Sequence, residues 1–392
     1  MKKRRWLLFF IFWLMLLGTV NQYFFCPQYL FIPPSPFQGS NIYNPYEGEE
    51  FTDWKKCNFH AHVRAWMGLT YGTSTAAIAM ATYDSLGYHV RCISNYQLVD
   101  TYGNHQTNYL AAYEHGYGIL KHHQTILGAS KVVWKDYIWP QTLSNKQHIL
   151  KKLRNTDSSH IIINHPANRN SYPADNFKWL RGYDYIEIFP SGSFAAFDSA
   201  LSAGRPVFCV ANDDAHDITN PLEVGRYCTW VGAHTADKAS ILQALKAGRS
   251  YIMVINNKAG QSFEDKQKRV KAGLQTMKHV QIRNDTLMIA INDTGAIAFY
   301  GQGGKMLSAS NNCVAAFYVI KPEDTYVRAR IFYRDGNEIN LNPVFRYDQS
   351  LPADILPSVN ETKTLLFRLA GTFILIAIPL LFYFFPAGRK LS

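Results

Sequence analysis

Histidines and acids recur where apolar runs of this chain end, and such sets carry one chemistry above others: the binding of divalent metal ions. His60-Ala61-His62 closes a run that begins at Lys56. In an extended chain, residues two apart share a face about 7 Å apart, so both imidazoles can address one ion. His165 follows Ile161-Ile162-Ile163-Asn164, and Asp214-Ala215-His216 follows Val207-Phe208-Cys209-Val210 with the same spacing of two. Glu114 sits in Tyr113-Glu114-His115-Gly116, and the pair His122-His123 precedes a run that ends at Gly128. Either member of that pair is a candidate. Neutral imidazoles with carboxylates form the ligand set of zinc, manganese or iron. His115 and Asp213 read as structural support, while His89, His105, His148, His234 and His279 have no supporting context.

The elements that must position these groups are short and alternate in type. Apolar runs at 56–60, 88–94, 124–128, 160–164, 183–189 and 206–211 are separated by helix-compatible stretches such as 73–86, 107–120 and 146–155. Alternation of this kind predicts an α/β fold with a largely parallel sheet or barrel. In a β/α barrel the chemistry gathers at the C-terminal ends of several strands, where three of these candidates stand. From 277 to 348 the texture changes to short alternating runs divided by turn residues, which predicts a small β-sandwich-like domain. Residues 257–276, rich in Lys and Gln, read as a linker or exposed helix.

Bulk properties narrow the classes. With 392 residues, 47% hydrophobic and 18% charged, the chain can bury a large core and is not a disordered sequence. Its formal charge of +11 concentrates at Lys2-Lys3-Arg4-Arg5, with no dense basic stripe in the middle. That balance suits a membrane surface and anionic substrates, and no nucleic-acid partner is expected. The six cysteines lie far apart without a CxxC and read as free thiols. An apolar run over 6–20 follows the basic residues, and no small-x-small cleavage site follows it, so an uncleaved anchor is expected rather than a signal peptide. A second run over 365–385 is long enough to cross a bilayer, and Arg389-Lys390 follow it. Basic residues at both outer flanks place both termini in the cytoplasm and the middle on the extracytoplasmic side. The divisions expected are an anchor at 1–25, a spacer at 26–51, the α/β unit at 52–256, a linker at 257–276, the β domain at 277–348, a spacer at 349–363 and a transmembrane helix at 364–386.

The ordered motifs resemble the polymerase-and-histidinol-phosphatase (PHP) superfamily of metal-dependent phosphoesterases, in the long form that adds a β domain. The matching pieces are Asn58-Phe59-His60-Ala61-His62, Glu114 before His115-Gly116, His123-Gln124-Thr125-Ile126-Leu127-Gly128, Asn164-His165-Pro166, Asp214-Ala215-His216 and Ala247-Gly248-Arg249-Ser250-Tyr251. In the β domain they are Tyr326-Val327-Arg328-Ala329 and Leu341-Asn342-Pro343. The resemblance spans about residues 52–345 and implies a distorted (β/α)7 barrel holding two or three divalent metal ions, followed by the β domain and flanked by the two transmembrane helices. Carried over by position, His60, His62, Glu114 and Asp214 hold a first ion, Glu114 with His123 and His165 a second, and His216 belongs to a third. The family has an Asp-His pair where this chain has Asn95-Tyr96, so the third site is expected to be weak. His216 is then freed to act as proton donor or phosphate contact, with Tyr96 and Asn95 lining the leaving-group side and Arg226 as a further phosphate contact. The implied activity is phosphoester hydrolysis by a metal-activated water, and the membrane location points to a phosphorylated or lipid-linked substrate. The alternatives are hydrolysis of carbon esters, carbamates or amides, and a non-catalytic metal-binding scaffold. Oligomeric state is not legible in the sequence.

Overall fold

The computed structural model describes residues 2–156, 160–258 and 260–384. Helix α1 (Lys2–Tyr23) leads into a mixed α/β body. After two short strands, Tyr29–Leu30 and Asn41–Tyr43, strands β1 (Lys55–Asn58) and β2 (Val90–Arg91) run parallel and are joined by helix α2 (Ala76–Ser85), whose first turn is capped by the Thr75 side chain. Strands β3 (Ala112–His115), β4 (Gln124–Leu127), β5 (His160–Ile163), β6 (Tyr185–Phe189) and β7 (Phe208–Ala211) form a separate five-stranded sheet in that order. Helix α3 (Leu143–Arg154), opened by a capping box of Thr142 and Asn145, connects β4 to β5, and α4 (Phe194–Ser202) connects β6 to β7. The stretch 107–120, expected to be helical, instead contains β3. Its Ala-Tyr-Glu-His core is buried on both faces, and tertiary burial overrides a pattern that local periodicity left ambiguous.

Strand β8 (Tyr227–Val231) pairs antiparallel with β1, and β9 (Ser250–Val254), linked to β8 by helix α5 (Lys238–Lys246), pairs antiparallel with β8. Helix α6 (Phe263–Ala272), with its own capping box of Ser262 and Asp265, occupies the middle of the stretch read as a linker or exposed helix. Six antiparallel strands follow: β10 (Met277–Arg283), β11 (Thr286–Tyr300), β12 (Met306–Val319), β13 (Tyr326–Tyr333), β14 (Glu338–Leu341) and β15 (Val344–Tyr347). They do not stand apart as a sandwich. β14 pairs with β9, so β10–β11–β13–β14–β9–β8–β1–β2 is one continuous path within an eleven-stranded sheet. One apolar core joins Tyr83, Tyr251 and Met253 to Ile289, Ile297, Ile331 and Ile339 across the same boundary.

The expected barrel does not close among the described residues. Between the two sheets the backbone makes only isolated bridges, Ala61 to Ala215 and Tyr96 to Glu114. Side chains take over at the seam: Asn212 Oδ1 accepts from Phe59 N at 2.7 Å, Asn58 Oδ1 accepts from Asp213 N at 2.8 Å, and Thr229 Oγ1 accepts from Ala211 N at 3.0 Å. Buried backbone groups must find partners, and amide or hydroxyl side chains supply them where strands diverge.

Helix α7 (Glu361–Phe384) ends the described chain. It and α1 each hold a stretch long and apolar enough to cross a bilayer, 18 residues in Trp6–Tyr23 and 24 in Glu361–Phe384. They pair antiparallel, Phe9 stacking on Phe382 with centroids 3.9 Å apart at one end and Phe24 lying 6.2 Å from Phe367 at the other. A Cβ on Gly371 would meet Phe24 Cβ at 2.7 Å, so the missing side chain lets the helices approach. Residues 385–386 of the expected helix, and Arg389 and Lys390, lie outside the described residues.

Candidate metal centre

Ligand candidates from five separate segments converge where the two sheets diverge. His60 and His62 lie just past β1, His165 two residues past β5, and Asp214 three residues past β7. Glu114 is inside β3, while His123 stands just before β4. The last two reach the same end because β4 runs antiparallel to both β3 and β5, with Glu114 facing Thr125 in register. The start of β4 therefore meets the finish of its neighbours. Gly116 makes room for the ring: at φ +124° it bears no Cβ, and one added there would sit 2.8 Å from His123 Cδ2.

Donor atoms crowd a small, buried volume. His60 Nε2 lies 3.1 Å from Asp214 Oδ1, 3.3 Å from Glu114 Oε1 and 3.2 Å from His62 Nε2. His62 Nε2 is 3.2 Å from Glu114 Oε2 and 3.3 Å from Asp214 Oδ1. Glu114 Oε1 is in turn 2.9 Å from His123 Nδ1 and 3.4 Å from His165 Nε2. Two ligand groups emerge, His60 with His62 and Asp214, and His60 with Glu114 and His165. These spacings fit an ion: ligand bonds of about 2.0–2.2 Å at tetrahedral angles set donor atoms roughly 3.3 Å apart. The orientation agrees, because buried Glu114 Oε2, Asp214 Oδ1 and His123 Nδ1 make no well-aligned hydrogen bond despite their close neighbours. Polar atoms so buried normally have partners. The residues present fit divalent metal ions.

A rigid frame holds the donors. Glu187, inside β6 and fully buried, accepts from His165 N at 2.9 Å and Asn212 Nδ2 at 2.9 Å and lies 3.0 Å from His60 Nδ1. A proton on that Nδ1 leaves Nε2 as the metal-binding lone pair. Asn164 Nδ2 donates to Glu114 Oε1 at 2.8 Å. His165 and Asp214 both adopt left-handed backbone, φ 26° and 49°, a conformation costing on the order of 1–3 kcal/mol and held here by Glu187 and by His60 O.

Electrostatics follow from this crowding. Burial would raise the Glu114 carboxyl, but His123 and His60 hold it well below the usual carboxylate range. Burial would lower His60, yet Asp214, Glu187 and Glu114 outweigh it and raise the imidazole. Protons on these histidines are what a divalent ion displaces on binding. His216 is pushed down to about 4 by burial and by neighbouring His62. Its Nδ1 faces the Asp214 carbonyl at 2.9 Å, and its Nε2 faces the Tyr96 hydroxyl at 3.4 Å. Burial, with Glu114 and Asp214, raises Tyr96 far above neutral pH, so it stays a phenol.

The remaining candidates divide. Tyr96 and His216 stack on His62, with centroids at 4.6 and 4.3 Å. Buried Asn95 spends its Oδ1 on Val63 N at 3.0 Å, and its Nδ2 makes no described hydrogen bond. His216 stands beside the cluster, its two ring nitrogens facing the Asp214 carbonyl and the Tyr96 hydroxyl. The Arg226 guanidinium donates to the Tyr227 hydroxyl at 2.7 Å, and its backbone N donates to Asp213 Oδ1 at 2.9 Å. Asp213 instead accepts from Gly225, Arg226 and Tyr227 backbone N–H groups and the Tyr83 hydroxyl, a structural role. Of the pair at 122 and 123, only His123 touches Glu114, and His122 packs on Tyr172. The sequence reading missed Glu187. Its signal was a carboxylate between Ile186 and Ile188 in an otherwise apolar strand.

No family model matches this chain, and no curated protein matches it. Among solved structures, a two-domain protein from Bacteroides vulgatus, described as containing a predicted PHP-like metal-dependent phosphoesterase, aligns over 79% of this chain and 99% of its own, at 12% identity and a TM-score of 0.39. At that level the chain's own geometry has to carry any functional reading.

Proposed function

We propose that this chain is a membrane-held, metal-dependent phosphoesterase of the PHP type. The observation that supports it most is the position of His60 Nε2, itself fully buried, within 3.3 Å of Asp214, Glu114 and His62 donor atoms. His60, His62, Asp214 and Glu114 would hold one divalent ion, and Glu114, His123 and His165 a second. Such ions supply Lewis acidity toward a phosphoryl oxygen and a water nucleophile near neutral pH. With only two carboxylates among six ligands, the loaded centre carries net positive charge and favours an anionic ester. Glu187 keeps His60 in the tautomer that binds. Asn95 offers an unengaged Nδ2–H toward an ester oxygen, and Tyr96 offers a phenolic proton, with His216 Nε2 as its acceptor in the absence of substrate. The neutral amide at position 95 is a poor cation ligand, which argues for two ions rather than three.

Both apolar helices would span the membrane, with the ends of the chain in the cytoplasm and the α/β body outside. The full chain, purified in lipid nanodiscs, stripped and reloaded with zinc, manganese or iron, is expected to hold two ions and to hydrolyse aryl phosphate mono- or diesters. His60→Ala should lose metal and activity together, whereas Asn95→Ala should keep its metal and lose turnover. Metal bound without turnover of any phosphate ester would overturn the enzymatic reading, and turnover of carboxylic esters alone would transfer it to carbonyl chemistry.

A further inference from the structure

Beside the metal centre lies an apolar rim that the proposed chemistry does not use. The loop after β1 exposes Trp66, Met67, Leu69 and Tyr71, with Met67 96% and Leu69 86% accessible. Trp66 and Met67 are successive non-glycine residues in left-handed backbone, at φ 50° and 55°. Strain of roughly 1–3 kcal/mol per residue and exposure of bulky apolar groups bring no return in water. The rim touches the site on one side: Tyr71 stacks on His216 with centroids 4.9 Å apart, and Trp66 Nε1 donates to Tyr96 O at 2.8 Å.

On its other side the rim runs to the membrane helices. Trp66 meets the exposed Trp134 edge to face at 6.0 Å. The segment that follows, carrying exposed Ile138, is bonded directly to the end of α1: Gln22 Nε2 donates to Trp139 O at 2.9 Å and the Tyr23 hydroxyl to Pro140 O at 2.8 Å. A continuous path therefore leads from the end of an apolar helix, through Trp134 and Trp66, to Tyr96 and His216. Exposed Arg64, and Arg169, which donates to Ile119 O at 3.0 Å, add positive charge around it. Aromatic side chains with basic neighbours are the composition that seats in the headgroup layer of an anionic bilayer.

We infer that this rim inserts into the outer leaflet beside α1 and α7, and that the centre takes phosphate esters presented by bilayer lipids. The inference rests on the phosphoesterase reading for the substrate class and on the membrane reading of the helices for the surface. Its test uses the full chain in phosphatidylcholine–phosphatidylglycerol nanodiscs, with Cys313→Ser and Met67→Cys carrying a nitrobenzoxadiazole label. Emission should shift to the blue and be quenched by lipids brominated on the acyl chains. In parallel, Met67→Glu combined with Leu69→Glu should lower hydrolysis of diacylglycerol phosphate in the nanodisc by about tenfold or more, the weight of roughly one buried apolar side chain. Turnover of a water-soluble aryl phosphate should be unchanged. Water-like emission, or equal loss on both substrates, overturns the inference. Shielding that depends on protein concentration and ignores brominated lipid assigns the rim to a second copy and overturns it as well. Quenching without hydrolysis of any ester upholds the membrane surface while the phosphoesterase reading falls, so the two failures are distinguishable.

Discussion

At the scale of single residues, the cluster is defined as much by what orients the ligands as by the ligands. Glu187 accepts a hydrogen bond from His165 N, a second from Asn212, and faces His60 Nδ1, all at 2.9–3.0 Å. Glu187→Gln keeps the shape but places an NH2 where one oxygen accepted, setting donor against donor. Metal affinity should fall about 10–100-fold, the usual cost of losing such a supporting carboxylate, with unchanged circular dichroism. A metal titration that gives the wild-type affinity would remove Glu187 from this role. The strained φ values at His165 and Asp214 belong to the same logic, since local backbone cost is tolerated where the surroundings over-determine the position.

Among elements, α3 and α6 carry an unusual burden, because each buries a lysine. Lys146 donates to Ser171 O and Asn176 Oδ1, both at 2.6 Å, and Lys266 to Val224 O. Burial pushes each ammonium down to about 8 from its ordinary 10.5. Above pH 8 these two lysines have released protons in the folded chain that the unfolded chain still binds, so their contribution to stability rises with pH. The window runs from about 8 toward 10, where buried Cys57, Cys92, Cys209 and Cys228, whose thiols burial raises, act in the opposite sense. The wild-type urea midpoint measured relative to that of Lys146→Met should therefore climb across that window; a difference between the two that falls between pH 8 and 9.5 would contradict this. The antiparallel turn of β4 is the other element-scale device, since it alone brings His123 beside Glu114.

For the molecule as a whole, the two apolar helices and the body form one connected unit. Tyr29–Leu30 pairs with Ser358–Val359 where the helices meet the body, and Gln28 N donates to Thr364 Oγ1 at 2.9 Å. Phe9 and Phe382 stack near the far ends, so Phe9→Cys with Phe382→Cys should form an oxidative cross-link within one chain in intact membranes. Failure to cross-link, with both cysteines titratable, would mean that the helices do not pair in the bilayer. Success would also put both ends of the chain on the same side, as the basic flanks suggest.

Much of the site is legible without coordinates, because ligand chemistry selects residue types. His, Asp and Glu are ligands of such ions, and their placement at the ends of apolar runs marked His60, His62, His165 and Asp214 from the sequence. The apolar ends were equally plain, and each forms a helix with a stretch long and apolar enough to cross a bilayer. Tertiary structure alone decided the rest. It chose His123 over His122, turned 107–120 from helix to strand, left the barrel ladder open and merged the β strands into the same sheet through β14 and β9. It also brought in Glu187. Each of these outcomes depends on contacts between segments distant in the chain, where burial and hydrogen-bond satisfaction outweigh local propensity, and no local window of sequence records them.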